Sequence, residues 1–401
     1  MGINLVVIPF HDWKKCEREG FRTRDAHLMQ EYEKHPDVDL MLVINRPISL
    51  SEIVLLRRNL RPKTGKMVWK NGSVFLTQVS EKVFVLDIFI LEVIKPLVMH
   101  RDWTSYIFGK NVINKSINLA LDFLKIKTNY TLFISAPLFV PIVKLLKPKI
   151  FAFDAQDNLL KHAMYKNVKN LQEDYEYCLK NANLVYTNSK ETATWFQSIR
   201  KDATHIANGV DNNIFSRDKI FSTPVDIKSI SAPIVGYAGK MQEMFDVDLV
   251  EKSVREFPNT NFVFIGQKLD PIWTEKLWNF PNAFYLGDKK YEFLPQYLAS
   301  FDICIIPYNK LRQHGVDPIK LYEYMAMGKP IVATNLDGVE FFRDFPQIRI
   351  SQTDEEFVIG LKYFIEKINK KELIDRQNLP DFCTWEFKAN KIINDILRKM
   401  A

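Results

Sequence analysis

The sequence has few cysteines and no long apolar run. Its four cysteines lie far apart and form no Cys-x-x-Cys pair. This spacing excludes a zinc ribbon and a disulfide framework, and it is typical of a reducing compartment. No segment reaches the roughly 20 consecutive apolar residues that a membrane-spanning helix needs. The most apolar stretch, residues 83–98, is interrupted by three charged residues and a proline.

Three signals that would direct the interpretation elsewhere are also missing. The apolar start, residues 1–10, has no basic leader, so we expect a first β-strand rather than a secretory signal. No Gly-x-Gly-x-x-Gly fingerprint with an acidic partner is present, which disfavours a nicotinamide dehydrogenase. No recognised RNA-binding motif accompanies the basic residues, which disfavours nucleic acid as a partner. We therefore expect a cytoplasmic protein.

The residues that are present fit a globular chain of two domains. The length of 401 residues is more than one ordinary hydrophobic core requires. The contents of 47% hydrophobic and 26% charged residues are ordinary for a globular protein. The net charge of +7 is uneven, because the first 200 residues carry +9 and the remainder −2. A basic first half favours an anionic partner such as phospholipid or a phosphorylated acceptor, or it is simply a solvated basic surface.

Short β-rich apolar runs alternate with helical patterns along most of the chain. Because the strands are almost continuously apolar, we expect parallel sheets covered on both faces. Turn formers cluster between residues 208 and 232. The pattern predicts an N-terminal domain over 1–212 and a C-terminal domain over 213–383, with a helix over 384–401 that packs back on the first. The expected strands lie near residues 3–8, 39–44, 83–88, 131–135, 150–154, 184–188, 234–238, 261–265, 283–286, 302–307 and 331–334.

The most informative stretch is residues 317–334, DPIKLYEYMAMGKPIVAT. Asp317 suits a helix N-cap and Pro318 suits the first helical position, while Gly328 ends the helix before a buried strand. Lys320 and Glu323 share one face of the first two turns. A helix N-terminus with an adjacent lysine favours a phosphate, and the glutamate one turn inward can accept hydrogen bonds from ribose hydroxyls. An ordinary capped helix with a surface Lys–Glu pair explains the same spacing.

This stretch resembles the Pro-x-x-x-x-Glu signature of retaining GT-B glycosyltransferases. More closely, it is similar to bacterial cell-surface polysaccharide transferases (of teichuronic-acid, capsule and exopolysaccharide type) with an Asp-Pro-x-Lys-x-Tyr-Glu-Tyr donor motif. The resemblance extends over most of the chain in order and spacing. Its other fragments are Ala182–Val185, Asn208–Asp211 with Phe215, Ile234–Gly239, Phe264–Gly266 and Asp302–Tyr308. It implies a GT-B α/β fold with two Rossmann-like domains whose parallel sheets face each other across a cleft.

The resemblance also implies a donor site in the C-terminal half. Glu323 would bind the ribose, and the helix start would offer backbone amides to a diphosphate. The donor-binding residues it implies are Gly239, Lys240, Gly266, Tyr308, Gly315, Val316, Asp317, Pro318, Lys320, Leu321 and Glu323. The family commonly has a second glutamate, eight residues before the first, that contacts the sugar; here that position is Gly315. The sugar and the stereochemical course therefore do not follow from the motif.

The acceptor is expected in the N-terminal half, at loops that follow strands. After the first strand, Trp13 could stack on a sugar, and Arg22 and Arg24 could bind phosphate. His11 or Asp12 could serve as a catalytic base there. After the strand near 150–154, Asp157 is the preferred catalytic carboxylate. Helix-start and surface-loop roles are the alternatives for these polar residues.

The function predicted from these observations is transfer of a sugar from a nucleotide-diphosphate sugar, most readily UDP-linked, to a saccharide or lipid-linked saccharide. No cofactor is expected, and no metal, because neither Asp-x-Asp pair, at 37–39 and 246–248, directly follows a predicted strand. The basic run 57–70 favours peripheral contact with the anionic inner face of the cell membrane, or it is a solvated loop. A GT-B nucleotide-sugar epimerase and a non-catalytic protein that binds nucleotide-sugars or nucleic acids remain alternatives.

Overall fold

The computed structural model describes residues 2–309, 312 and 315–400, and these form two compact units. The first unit comprises residues 1–188, 192–206 and 386–401, and the second comprises 189–191 and 207–385. The division in the structure falls between residues 206 and 207, whereas the sequence predicts 212 and 213. The C-terminal helical segment, from residue 386 onward, groups with the first unit.

The first unit is built on a sheet whose central strands are parallel. Neighbouring strands follow the order β10-β9-β8-β7-β1-β2-β6-β5-β4, and β3 pairs with β6. The strands are β1 (Ile3–Ile8), β2 (Val38–Ile44), β3 (Ile48–Ser49), β4 (Lys66–Asn71), β5 (Val74–Gln78), β6 (Val83–Ile90), β7 (Thr131–Ile134), β8 (Ile150–Ala155), β9 (Leu184–Thr187) and β10 (Thr204–His205). The pairs β4–β5 and β5–β6 are antiparallel, and the others are parallel.

The antiparallel hairpin β4–β5 corrects the interpretation of the basic run. Residues 57–70 were expected to form either a membrane-facing or a solvated loop, but the run continues into β4, where Lys66 and Lys70 lie on an edge strand. Gly72, with a φ of 57°, makes the turn between the two strands. Charged lysines on an edge strand also protect it from pairing with another chain.

Helices cover this sheet on the connections between its strands. They are α1 (Trp13–Glu19), α2 (Arg24–Lys34), α3 (Leu50–Val54), α4 (Lys95–Met99), α5 (Asp102–Phe108), α6 (Asn111–Phe123), α7 (Val140–Val143), α8 (Leu171–Asn181) and α9 (Lys190–Ile199). The core lies between these helices and the apolar strands; it includes Val6, Leu42, Ile117, Leu132 and Phe153, all fully buried.

The second unit contains a fully parallel sheet in its described part, with the strand order β13-β12-β11-β14-β15-β16. The strands are β11 (Ile234–Ala238), β12 (Asn261–Ile265), β13 (Ala283–Tyr285), β14 (Ile303–Ile306), β15 (Ile331–Thr334) and β16 (Ile348–Ser351). The order reverses between β11 and β14, and ligands of such sheets bind outside the carboxyl ends of the strands at this point. Gly239 and Tyr308 both lie there.

The remaining helices complete the described chain. They are α10 (Val247–Glu256), α11 (Pro271–Thr274), α12 (Leu294–Ser300), α13 (Ile319–Ala326), α14 (Asp354–Asn369) and α15 (Trp385–Met400). The predicted α/β class with parallel sheets is confirmed, and every strand predicted from the sequence is found within two residues of its expected bounds. Within residues 2–309, 312 and 315–400, no helix is both long and apolar enough to cross a bilayer.

Candidate active site

Two glycine loops meet at the carboxyl ends of β11 and β12. A β-carbon on Gly266 would lie only 2.0 Å from the carbonyl oxygen of Gly239, and Gly266 has a φ of 132°. Gly239 in turn has a φ of 152°, and a β-carbon there would lie 2.4 Å from Lys320 Nζ. Only glycine allows this approach without displacing a neighbour. The two loops and Lys320 are therefore packed around one point.

Lys320 places a cation at this point with little access to water. Its side chain is 8% exposed, and its Nζ donates hydrogen bonds to the hydroxyls of Tyr237 (2.9 Å) and Tyr308 (2.6 Å). Burial raises the pKa of Tyr237 well above its ordinary value, so this phenol stays neutral. No carboxylate of the described residues lies within 4.0 Å of Lys320 Nζ. Buried charges are normally paired, so this ammonium is suited to an anionic ligand.

Glu323 lies one turn further along α13 and is held by a tyrosine that the sequence did not single out. The Glu323 carboxylate is buried, and its Oε1 accepts a hydrogen bond of 2.7 Å from Tyr291 Oη. Burial, reinforced by the charge of Glu323, raises the pKa of Tyr291 well above its usual range, so the phenol remains a donor. A carboxylate has about four acceptor positions, so a group of this type can accept hydrogen bonds from more than one hydroxyl.

The start of α13 corrects one prediction. The N-cap is Pro318, whereas Asp317 was expected to cap the helix. Its carboxylate instead accepts hydrogen bonds from Tyr322 Oη (2.9 Å) and from the backbone amide of Asn208, whose Nδ2 donates to the Asp317 carbonyl (2.6 Å). Asp317 therefore anchors the loop before the helix to the segment that begins the second unit.

The other donor-motif residues divide between backbone and core roles. Gly315 is buried with a φ of 63°, a conformation in which a side chain such as glutamate would be strained. Val316 accepts the Gly338 amide at 3.1 Å through its carbonyl. The Leu321 side chain is fully buried in the core. Lys240 is half-buried, and its carbonyl accepts the Tyr237 hydroxyl at 2.9 Å.

Tyr324, which the sequence analysis did not assign, fixes α13 against the Gly239 loop. Its hydroxyl accepts the Ala238 amide at 2.8 Å and lies 3.3 Å from the Ala238 carbonyl. These contacts involve Ala238, which is the last residue of β11 and directly precedes Gly239. Alternate buried tyrosines on the helix, at 322 and 324, are the signal that could have revealed it.

In the first unit, the predicted base His11 is held by a carboxylate. Its backbone amide donates to Asp25 Oδ2 (2.7 Å), and its Nδ1 lies 3.4 Å from Asp25 Oδ1. Burial opposes ionisation of Asp25, but the charge and hydrogen bonds of His11 and the Thr23 hydroxyl lower its pKa to about 2. A carboxylate that stays ionised beside an imidazole orients the ring through its hydrogen bonds. Asp12 has a different role, because its side chain caps α1 by accepting the Lys15 amide at 2.8 Å.

Two of the predicted acceptor contacts are contradicted. Arg24 is buried and makes a bidentate ion pair with Asp154, with N–O distances of 2.9 and 3.0 Å, so it is not available to a phosphate. Trp13 is 6% exposed and packs edge-on against Phe21 at 5.0 Å, so its ring face is not open to a sugar. Arg22 is half-buried beside Glu19, 3.7 Å away. The residue types in this segment led to the prediction that these side chains contact the acceptor, but their burial decides what they can contact.

Asp157 follows β8 and is the predicted carboxylate that retains access to solvent. The surrounding protein atoms raise the pKa of its carboxyl, while the nearby charges of His162, His11 and Arg24 oppose this rise. The structure therefore brings Asp157 and His11 into one neighbourhood at the carboxyl ends of β8 and β1. A carboxyl with a raised pKa in the neighbourhood of an imidazole is a candidate for proton transfer.

With this geometry in place, comparison with known proteins is informative. Residues 232–367 match the profile of a family described as glycosyl transferases group 1.

That segment contains the strands β11–β16 and the helix α13, and so all the donor-motif residues. A protein of Bacillus subtilis (strain 168), TuaH, named as a teichuronic acid biosynthesis glycosyltransferase, is 26% identical over 140 residues. The match covers 34% of this chain and 35% of that protein, so the chain aligns with about a third of the relative's length.

Solved structures match the whole chain at low identity and show the fold alone. Anabaena Alr3699/HepE, solved in complex with UDP, has a TM-score of 0.60 at 13% identity, covering 100% of this chain and 98% of that one. A UDP-forming trehalose-phosphate synthase from Burkholderia xenovorans has a TM-score of 0.63 at 9% identity, with both chains fully covered. The fold resembles GT-B glycosyltransferase structures.

Among the residues that the structure describes, no group of three or more His, Cys, Asp or Glu side chains is arranged to hold a metal ion.

Proposed function

We propose that this protein is a glycosyltransferase that takes a sugar from a nucleoside diphosphate sugar and passes it to a saccharide or lipid-linked saccharide of a cell-surface polysaccharide. The observation that supports this proposal most strongly is the buried Lys320 ammonium, which lies one turn from Glu323. Among the residues that the structure describes, no carboxylate lies within 4.0 Å of its Nζ. A diphosphate supplies the missing negative charge, and Glu323 is placed to accept ribose hydroxyls.

The donor would lie against the Gly239 and Gly266 loops, where the absence of side chains lets a ligand approach the backbone closely. Lys320 would contact the diphosphate, and Tyr291 would orient the Glu323 carboxylate. UDP is the nucleotide we propose, because structures of this fold have been solved with UDP. Lys240 would add charge on the opposite side of the diphosphate.

For catalysis we propose Asp157 and His11 in the first unit. Asp157 has solvent access and a raised pKa, as a group that exchanges protons with an acceptor hydroxyl requires. Asp12 is a weaker candidate because it caps α1. We also propose that turnover needs no divalent metal, because neither Asp-x-Asp pair directly follows a strand.

A nucleotide-sugar epimerase is the second candidate, because a UDP-N-acetylglucosamine 2-epimerase is among the solved structures with a similar fold. The two functions differ in one respect that can be measured. An epimerase converts the nucleotide-sugar alone, whereas a transferase releases nucleoside diphosphate in step with acceptor glycosylation.

The proposal is tested by incubating the protein with a panel of UDP-sugars, with and without saccharide and lipid-diphosphate-linked saccharide acceptors, in excess chelator. We expect UDP release with at least one donor, dependent on an acceptor and unchanged by chelator. Conversion of a UDP-sugar without acceptor would favour the epimerase. Activity abolished by chelator and restored by manganese or magnesium would contradict metal independence, and no conversion of any donor would contradict the transferase.

A further inference from the structure

A cavity of about 910 Å³ opens within the first unit, away from the residues so far assigned to donor or catalysis. Its lining comes from the segments that follow β6, β7 and β8, which leave the sheet at the carboxyl ends of parallel strands. We call it the α5 cavity, since Asp102, Ser105 and Tyr106 of α5 contribute to its lining.

The α5 cavity adjoins the neighbourhood of His11 and Asp157 through Tyr165. The guanidinium of Arg101, which lines the cavity, lies 5.1 Å from the centre of the Tyr165 ring. The same ring lies 6.2 Å from Phe10, the residue before His11, and 5.4 Å from His162. A ligand in the cavity can therefore extend toward the proposed catalytic residues.

The charges of the α5 cavity favour an anion. Arg101, Lys144 and Lys169 line it, and no carboxylate of the described residues lies within 4.0 Å of any of their side-chain nitrogens. Two acidic residues also line it. Asp102 accepts the backbone amide of Lys169 at 2.9 Å, and burial raises the pKa of Asp174 to about 6 against the opposing charge of Lys144. Three cations against two carboxylates leave the cavity positive.

The walls of the α5 cavity continue into an exposed apolar surface. Val98 and Met164 line the cavity and are 69% and 57% exposed. Residues 91–98, which we call the apolar ridge, also expose Leu91, Val93, Ile94 and Leu97. Soluble proteins rarely leave so many apolar side chains together in water unless they contact a partner or a membrane. Lys95 on the ridge is paired with Glu92, 3.6 Å away, so the ridge itself is close to neutral.

We propose that the α5 cavity binds the acceptor as a lipid-linked phosphate. The phosphate or diphosphate lies among Arg101, Lys144 and Lys169, and its apolar chain leaves along the apolar ridge into the bilayer. The combination of cations and apolar walls with an exposed apolar exit suits this amphipathic ligand better than a free sugar or free phosphate. The inference rests on the proposed transferase function and names the acceptor class and its site.

The test measures, by calorimetry in detergent-free buffer, the binding of farnesyl diphosphate, inorganic diphosphate and farnesol to the full chain. We expect farnesyl diphosphate to bind at least tenfold more tightly than either fragment, because only it uses both parts of the site. The double variant Arg101→Ala, Lys144→Ala should bind farnesyl diphosphate about tenfold or more weakly, which is the scale expected for the loss of hydrogen bonds to charged groups. Both side chains are exposed, so folding should survive.

Two matched controls separate charge from apolar contact. Ile94→Ser combined with Val98→Ser should weaken the binding of farnesyl diphosphate but leave the binding of inorganic diphosphate unchanged. Ile199 is an exposed apolar residue elsewhere in the unit, and Ile199→Ser should change the binding of neither ligand. Lys201→Ala is the control for the charge variants, and it should bind farnesyl diphosphate as tightly as the wild type does. Equal binding of inorganic and farnesyl diphosphate, or unchanged binding in the Arg101 and Lys144 variant, would overturn the inference. UDP affinity measured on the same samples tells this failure from failure of the proposed function, which would abolish UDP binding.

Discussion

At the scale of single residues, the proposed donor site depends on two glycines that bring backbone and a buried cation together. Gly239 leaves no room for a β-carbon beside Lys320 Nζ, and Gly266 leaves none beside the Gly239 carbonyl. Lys320 then sits between two tyrosine rings, 4.2 Å from the Tyr237 centroid and 4.7 Å from that of Tyr308. The rings and hydroxyls hold the ammonium in place before any ligand arrives.

Gly239→Ala should therefore lower nucleotide affinity more than it lowers stability. The new methyl group would displace Lys320 Nζ from a distance of 2.4 Å, so we expect UDP to bind about tenfold or more weakly. Gly287→Ala is the matched control, because Gly287 also has a positive φ of 81° but nothing lies within 4 Å of a β-carbon there. It should lower the melting temperature through backbone strain while leaving UDP affinity unchanged. Equal UDP affinity in the two variants would contradict the role of Gly239.

At the scale of elements, periodicity and apolar runs predicted eleven of the strands, because buried strands read as continuous apolar segments. The short parallel strands β3, β10 and β16 were missed. The helix α13 was predicted from boundary signals instead, namely a proline near its start and Gly328 just beyond its end. The predicted N-cap was wrong: Pro318 is the N-cap, and the Asp317 carboxylate accepts hydrogen bonds from Tyr322 and Asn208. Asn208 lies 109 residues away, so local sequence could not reveal that contact.

The hairpin β4–β5 could have been predicted and was not. Asn71-Gly72 between two β-rich runs is a strong short-range hairpin signal, but the density of positive charge around it favoured a loop. The first-unit candidates Trp13 and Arg24 failed for another reason. Whether an aromatic or a cation faces a ligand or the core depends on partners such as Phe21 and Asp154, which are distant or ambiguous in the sequence.

At the scale of the whole molecule, charge is distributed to suit an anionic surface in the first half. Three consecutive apolar residues, 54–56, are each more than half exposed and lead directly into the basic run. Arg57, Arg61, Lys63, Lys66 and Lys70 are exposed along it. Arg58 differs, because it donates to Glu52 at 2.8 Å. Exposed basic and apolar residues in one segment are typical of peripheral membrane contact.

We expect the protein to sediment with anionic vesicles and much less with neutral ones, at low salt. Charge reversal at Arg57, Arg61 and Lys66 should reduce this binding by about a hundredfold or more, at about 1 kcal/mol per charge near the surface. Binding should also fall with added salt, which screens exposed charges. The matched control reverses three exposed lysines of the second unit, Lys362, Lys370 and Lys371. Equal, negligible binding to both kinds of vesicle would leave a soluble acceptor as the better account.

The central claim is that Glu323 and Lys320 form the nucleotide site, and calorimetry of UDP binding to Glu323→Ala tests it most directly. The account predicts a loss of about 1.5–3 kcal/mol in binding free energy, the scale of a hydrogen bond to a charged group. Tyr291→Phe is the control, because it removes the same internal hydrogen bond of 2.7 Å but keeps the carboxylate, and it should retain most of the affinity. Unchanged UDP affinity in a folded Glu323→Ala variant, or no UDP binding by the wild type, would contradict the account.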